Sequence, residues 1–274
     1  MAIGTGSAQR RSTAAAPSRI DPWRRRAHVM AALARGDLRV RYGRGSWQVV
    51  KWLVDPFALV GVYLLLRLIL NRSGTAAGLS LACSIVPFQI VLLSATSALN
   101  AVSAREPILL NMRFDRMLIP PAAVLTESLA FGASFLMFPI TMVVYGVAPT
   151  AALLWLPVLV AVTLLLAFGI AWPAALLGLW VPSVKLLAAQ SLRIAYFAAP
   201  GLVALAEVSP SVRDWIKFNP LTGLFEAYRH VFFFGTSPPA WELLYPAVVG
   251  AAIAVLFIPI YRSEQRHFAK LVGE

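Results

Sequence analysis

The chain is written in long apolar blocks separated by short polar ones. Six apolar stretches, at roughly 47–70, 79–102, 121–146, 150–180, 185–205 and 242–262, can each cross a hydrocarbon core, which takes ~20 helical residues. A backbone in lipid must satisfy its own hydrogen bonds, so closed helices are the expected spanning form. The pattern predicts an all-α integral membrane protein with six transmembrane helices.

A different pattern precedes the first block. Trp23, Ala27, Met30, Leu33 or Ala34, and Leu38 recur at helical spacing, while Arg24, Arg25, Arg26, His28, Arg35, Arg39 and Arg41 fill the other face. A helix lying in a membrane interface has this pattern, although the basic residues alone would also satisfy the charge rule for cytoplasmic flanks. Asp21 and Pro22 supply an N-cap and a first helical residue, and Gly36, Gly43 and Gly45 allow a bend before the bilayer. Residues 1–20 are too poor in large apolar groups to pack and read as a disordered tail, with no apolar region of a signal peptide after the charges. The division is therefore 1–20, an amphipathic interface helix at 21–44, and a transmembrane domain at 45–274.

Composition agrees. The 274 residues are 59% hydrophobic and 13% charged, with mean hydropathy +0.74, too little polar surface to cover a soluble globule. A net charge of +12 raises the question of nucleic acid, but 11 of the 24 Lys and Arg lie at or before Lys51, beside the first apolar run. No nucleic-acid partner is expected. With six spans both termini share one side, whose flanks carry eighteen Lys and Arg against four on the other, which makes the termini cytoplasmic. Cys83 is alone inside an apolar stretch, and His28, His230 and His267 are scattered, so neither a disulfide framework nor a metal site is expected.

Two loops stand out. Ser103 to Pro120 mixes apolar residues with Arg105, Glu106, Arg113, Asp115 and Arg116, as a short amphipathic helix gripped by a soluble partner would. Glu207 to Trp241 is too apolar for a free loop and predicts short re-entrant helices at about 206–241, broken at Pro210, Pro220 and Gly235. Catalytic groups are missing by contrast. Lys51, Lys185, Lys217 and Lys270 are followed by Trp, Leu, Phe and Leu, so no lysine sits in a phosphate-cradling Gly-Lys-Ser/Thr loop, and no carboxylate pair or Ser-His-Asp set stands at suggestive spacing. The chain is not expected to be an enzyme.

What remains is polar and aromatic residues at membrane depth. Glu127 lies in the third span, and Arg193 in the fifth on a stripe with Lys185, Ala189, Tyr196 or Phe197, and Pro200, with Gln190 beside it. Such charges face a bundle interior, a partner or water, so either a structural Glu127–Arg193 pair or a polar pathway lining accounts for them. Trp52 and Tyr63 share a face of the first span; Phe131, Phe135 and Phe138 form a stripe in the third; Trp155, Phe168, Trp172 and Trp180 mark the fourth. Interfacial belts and lipid packing explain such aromatics, and the alternative is a channel whose rings stack on sugars.

Three segments carry a family resemblance. Asp37-Leu38-Arg39-Val40-Arg41-Tyr42 resembles an Arg-Asp-Leu-Lys-x-Arg-Tyr run, with Gly36 in place of the leading Arg. Phe114-Asp115-Arg116-Met117-Leu118-Ile119-Pro120 keeps the spacing of Phe-Pro-Arg-Glu-x-Leu-Pro. Asn219-Pro220-Leu221-Thr222-Gly223-Leu224-Phe225-Glu226-Ala227-Tyr228-Arg229, ending in Gly235, is similar to an Asn-Pro-Leu…Glu-Ala-Tyr/Phe-Arg…Gly signature. The chain thus resembles the permease subunits of type-2 ABC exporters, in the branch that moves lipid-linked O-antigen, teichoic acid or galactan-type polymers. The resemblance runs from about residue 22 to the end. A Leu-Gly-x-x-Trp at the start of the first span is not reproduced around Trp47 to Trp52, and Ala199-Pro200-Gly201 stands for a Ser-Pro-Val type sequence.

The resemblance implies a homodimeric channel in a bacterial inner membrane and two copies of a nucleotide-binding ATPase, which would hold the ATP and magnesium this chain lacks. It implies a coupling helix at about 105–119 bearing Arg105, Glu106, Arg113, Phe114, Asp115 and Arg116, and an outer gate with Pro200, Gly201, Asn219, Pro220, Glu226 and Arg229. Trp23, Arg24, Arg25, Arg26 and Arg35 would meet the lipid head group. Trp52, Tyr63, Glu127, Phe131, Phe135, Gln190, Arg193 and Tyr196 would line the channel. For Glu226 and Arg229, a plain helix-stabilising pair at i, i+3 is the alternative. A drug or lipid exporter of the same fold, and a membrane glycosyl- or acyltransferase, are the competing functions.

Overall fold

The computed structural model describes residues 22–42, 54, 57–65, 69, 77–105 and 115–265, and among these no strand occurs. The elements are α1 (Pro22–Tyr42), α2 (Ala77–Ala101), α3 (Ile119–Ser134), α4 (Met137–Tyr145), α5 (Leu156–Trp180), α6 (Lys185–Ala198), α7 (Pro210–Ile216), α8 (Pro220–Arg229) and α9 (Ala240–Glu264). Short 3₁₀ turns at Ser103–Arg105, Arg116–Leu118, Ala151–Trp155 and Leu205–Glu207 join them, and a π-turn at His230–Phe234 continues α8.

Among the described residues four helices are long and apolar enough to cross a membrane: Ala77–Ala101, Arg116–Tyr145, Ala151–Trp180 and Ala240–Glu264. They match the second, third, fourth and sixth expected spans. The first, 47–70, falls largely outside the described residues. The fifth departs from expectation: α6 has 14 residues and stops at Ala198, short of the ~20 a span takes, where 185–205 was expected. Pro200 is the reason. It pushes the preceding residue out of the helical region, and Ala199 sits at φ −89°, ψ 160°.

The bundle is organised around α2, whose most apolar window is 89% buried. A helix hydrophobic all round belongs in a core. Close backbone contact holds its neighbours: Gly178 of α5 lies directly against the Leu99 carbonyl, and Gly169 against Gly250 of α9, so a Cβ at either would collide with backbone. Small residues allow such approach where lipid offers no hydrophobic drive between helices.

At the Ala101 end of α2, α1 lies across α3. Ala34 and Leu38 are buried and Met30 and Leu33 half-buried, while Arg24, Arg25, Arg26, Arg35 and Arg39 are exposed, so the helix is amphipathic as patterned. It differs at both ends of the apolar stripe. Trp23 is 75% exposed, and the helix continues through Gly36 to Tyr42.

Candidate functional site

The polar side chains of α2 form two sets, the buried Ser80 and Ser84 near one end and the buried Ser94 with the half-buried Ser97 near the other, about 25 Å from Ser80 to Ser97, with the buried Gln89 between them. Each set meets residues named from the sequence.

The first cluster closes the break after α6. Arg229 has 0% side-chain exposure. Its Nη1 bonds Glu226 Oε1 at 2.5 Å, its Nη2 donates to the carbonyls of Pro200 (2.8 Å) and Gly201 (3.2 Å), and its Nε reaches Ser80 Oγ at 3.3 Å. Ser84 donates to the Gly201 carbonyl at 2.5 Å, and Glu226 accepts from the Leu205 N–H at 2.9 Å. Asn219 works in two directions. Its Oδ1 caps α8 by accepting from Leu221 N–H (3.0 Å), and its Nδ2 donates to the Ala195 carbonyl in the last turn of α6 (2.7 Å). Pro220 is the first residue of α8, where a missing N–H costs nothing. The sequence placed Pro200, Gly201, Asn219, Pro220, Glu226 and Arg229 together, and the fold brings them together. The Glu226–Arg229 pair is present at i, i+3, yet it does more than steady one helix: it satisfies the backbone of the segment that follows α6, at Pro200, Gly201 and Leu205, as buried polar groups require.

Tyr196 packs under this cluster. It is buried, 3.4 Å from Ser84 Oγ, with its ring against Phe88 (4.6 Å), Phe225 (5.6 Å) and Tyr63 (5.9 Å). Gly201 fits only because it lacks a Cβ, which would strike the Tyr196 ring. Beyond the cluster, His230 bonds Thr236 Oγ1 through Nδ1 (2.9 Å) and faces Glu242 at 3.4 Å; burial lowers its pKa, opposed by the Glu226 carboxylate.

The second cluster, at the Ala101 end, is open. A cleft of about 390 Å³ between α1, α2 and α3 is lined by Asp37, Ser97, Asn100, Arg105, Thr126 and Glu127, among others. Glu127 is 1% exposed and accepts a hydrogen bond from Ser97 Oγ. Arg105 is buried, pairs with the Asp37 carboxylate and donates to the Ala101 carbonyl at 3.0 Å. Just below, Asp115 caps the Arg116–Leu118 turn and pairs with Arg26 at 3.4 Å, while Arg116 donates to the Gln265 carbonyl at 2.5 Å. The α1 helix is thus tied on both sides of residues 106–114.

Other named residues are dispersed. Glu127 and Arg193 do not pair: Arg193 is exposed on α6 and reaches Gln190 Oε1 at 3.4 Å. Tyr196 points away from that face, so the stripe read from Lys185 to Pro200 is split. Phe131 and Phe138 are buried, and Phe135 half-buried, in a column with Tyr228 and Phe232, where Phe138 and Phe232 stack at 3.9 Å. Packing within this chain accounts for that stripe. Trp52, Glu106, Arg113 and Phe114 lie outside the described residues. Ser80, Ser84, Asp37 and Thr126 were missed as site residues; the signal available was polar side chains inside an apolar helix, and an acid in a basic one.

No family model matches the chain. Curated relatives do. Two O-antigen export system permease proteins RfbA of Klebsiella pneumoniae are 23% and 24% identical over 249 and 251 residues, each covering 89% of this chain and 95% of the relative. The chain is similar to O-antigen export permeases. A third, the O-antigen export system permease protein RfbA of Myxococcus xanthus, is 23% identical over 248 residues with the same coverage. These relatives bear out the resemblance to type-2 ABC exporter permeases and, with the apolar helices, a multi-pass membrane protein.

Proposed function

We propose that this chain is the channel-forming permease of an ABC exporter that moves a lipid-linked polysaccharide out across a bacterial inner membrane. The observation that carries the reading is similarity to O-antigen export permeases over 89% of the chain. In this reading six spans leave both termini cytoplasmic, and two copies enclose the channel. Two ATPase subunits bind ATP and magnesium and grip the segment from Arg105 to Arg116.

Each cluster then has a role. The sealed Glu226–Arg229 network holds the end of α6 and the α7–α8 segment as one outer gate piece. The Asp37–Arg105 pair lets movement of the 105–119 segment pull on α1, whose exposed Arg24, Arg25, Arg26 and Arg35 offer donors to a lipid phosphate. The exposed Gln190 and Arg193 need water, glycan or a second copy beside them at membrane depth, which a channel wall supplies.

The test is co-expression with candidate ATPases, purification through a tag on this chain, and ATP hydrolysis with added lipid-linked glycans. An ATPase that co-purifies and whose turnover changes with one glycan is the expected result. Absence of any ATPase after mild extraction, or glycosyl transfer by this chain alone, would overturn the proposal.

A further inference from the structure

A second cleft, of about 660 Å³, lies between α1, the start of α3 and the end of α9; Trp23, Arg26 and Asp115 on its rim have roles above, but Arg262 and the apolar floor have none. Its floor is apolar, with Met30, Leu118 and Ile258, and its rim carries Trp23, Arg26 and Arg262. We infer that it binds the phosphate head of an anionic membrane phospholipid, held beside the protein as a resident lipid rather than as cargo.

Charge comes first. Arg262 has no carboxylate partner among the described residues, and Arg26 gives one Nη to Asp115 at 3.4 Å, leaving other N–H donors of its fork uncommitted. Two arginines against Asp115 leave the cleft with one net positive charge. A head group of net charge −1 matches it, and a zwitterionic one does not.

The tail is the second element. Val248, Val255 and Arg262 are spaced seven apart, two helical turns each, so they form one stripe along α9 that ends at the cleft. Val248 and Val255 are exposed. The stripe is about 21 Å long, enough to cover an acyl chain in one leaflet of about 15 Å. An apolar track running into an unpaired arginine is the shape of a phospholipid, not of a free anion or a soluble partner. Trp23 stands at the rim with the Arg26 guanidinium 5.8 Å from its ring, as indoles stand at the bilayer interface.

The inference rests on the membrane-surface placement of α1, not on the cargo. It is tested on the full chain in mild detergent by native mass spectrometry, titrating phosphatidylglycerol or phosphatidylcholine. The wild type is expected to retain phosphatidylglycerol in preference, at one site per chain. Arg262→Gln is expected to weaken it about fivefold, with phosphatidylcholine unchanged, and Ile258→Trp to expel it with the charges intact. Should Arg262→Gln not be recovered, Ile258→Trp carries the test alone. Equal retention of the two lipids, or wild-type phosphatidylglycerol binding in these variants, overturns the site. So does cross-linking of an Ile258→Cys variant through that position to a second copy or an ATPase in membranes, which puts protein in the cleft. Lipid retention needs neither glycan nor ATPase, so its failure and that of the exporter reading are separable.

Discussion

The two ends of α2 treat charge in opposite ways. Near Ser80, Arg229 and Glu226 are shut away from solvent, with side chains 0% and 7% exposed. Near Ser97 the cleft is open on one side, where the Asp37 side chain is 41% exposed, while Arg105 and Glu127 are buried in its wall. A sealed network in low dielectric is rigid, because losing one partner strands the others. A network open to water can exchange partners at little cost. The sealed end fixes the shape of a broken helix, and the open end sits where α1 and the 106–114 segment meet the bundle.

The largest test of this contrast is Arg229→Gln. The amide cannot reach Glu226, Ser80 and two carbonyls together, so the buried Glu226 carboxylate loses its counter-charge and keeps only the Leu205 N–H, while the Pro200 carbonyl risks losing its donor. The expected loss is about 3–5 kcal/mol, as for a broken buried pair, and is read as a collapse of the thermal midpoint in detergent or of recoverable protein. A midpoint within a degree or two of wild type would mean the cluster is not sealed.

Asp37→Asn probes the other end. Arg105, whose side chain is 6% exposed, then loses its carboxylate and keeps the Ala101 carbonyl, and because Asp37 is itself 41% exposed beside the cleft the expected cost is about 1–3 kcal/mol, below that of Arg229→Gln. Hydrogen exchange in α1 is expected to rise while α2 and α5 stay protected. If the exporter reading is right, glycan-dependent ATPase activity falls by more than stability does. An Asp37→Asn protein as unstable as Arg229→Gln would erase the distinction between the two ends.

Much of this was legible in residue order. Apolar length located four spans to within a few residues, because lipid thickness sets helix length. The Asn219-Pro220 pair and Gly235, at φ 67°, were visible as breaks because capping and left-handed backbone have local chemistry. The end of α6 was read too late, since apolar content alone cannot show that Pro200 and Gly201 turn the chain when a distant Arg229 accepts the cost. Faces were the weakest point. Arg193 and Tyr196 are three residues apart, close enough for one stripe on a helical wheel, yet one is exposed and the other packs on Phe88. Which neighbours a helix acquires is decided in three dimensions, and Ser80 and Ser84 gained their roles only when Gly201 and Arg229 arrived beside them.

The smallest effect concerns the edge of the sealed end. His230 lies half-buried between Thr236 and the Glu242 carboxyl, with Glu226 beyond, and burial lowers its pKa below the usual value near ~6.5. The folded chain therefore holds this proton more weakly than the unfolded chain does. Its contribution is fully present above about pH 6.5 and is lost as pH falls through the lowered value. Hydrogen exchange over residues 230–236 is expected to quicken modestly as pH drops from 7 to 5, after correction for intrinsic rates, and His230→Gln is expected to flatten that response. If exchange at 220–229 instead loosened in step with 230–236, the cluster and its rim would be one titrating unit, and the sealed end would be as open to water as the cleft at Asp37.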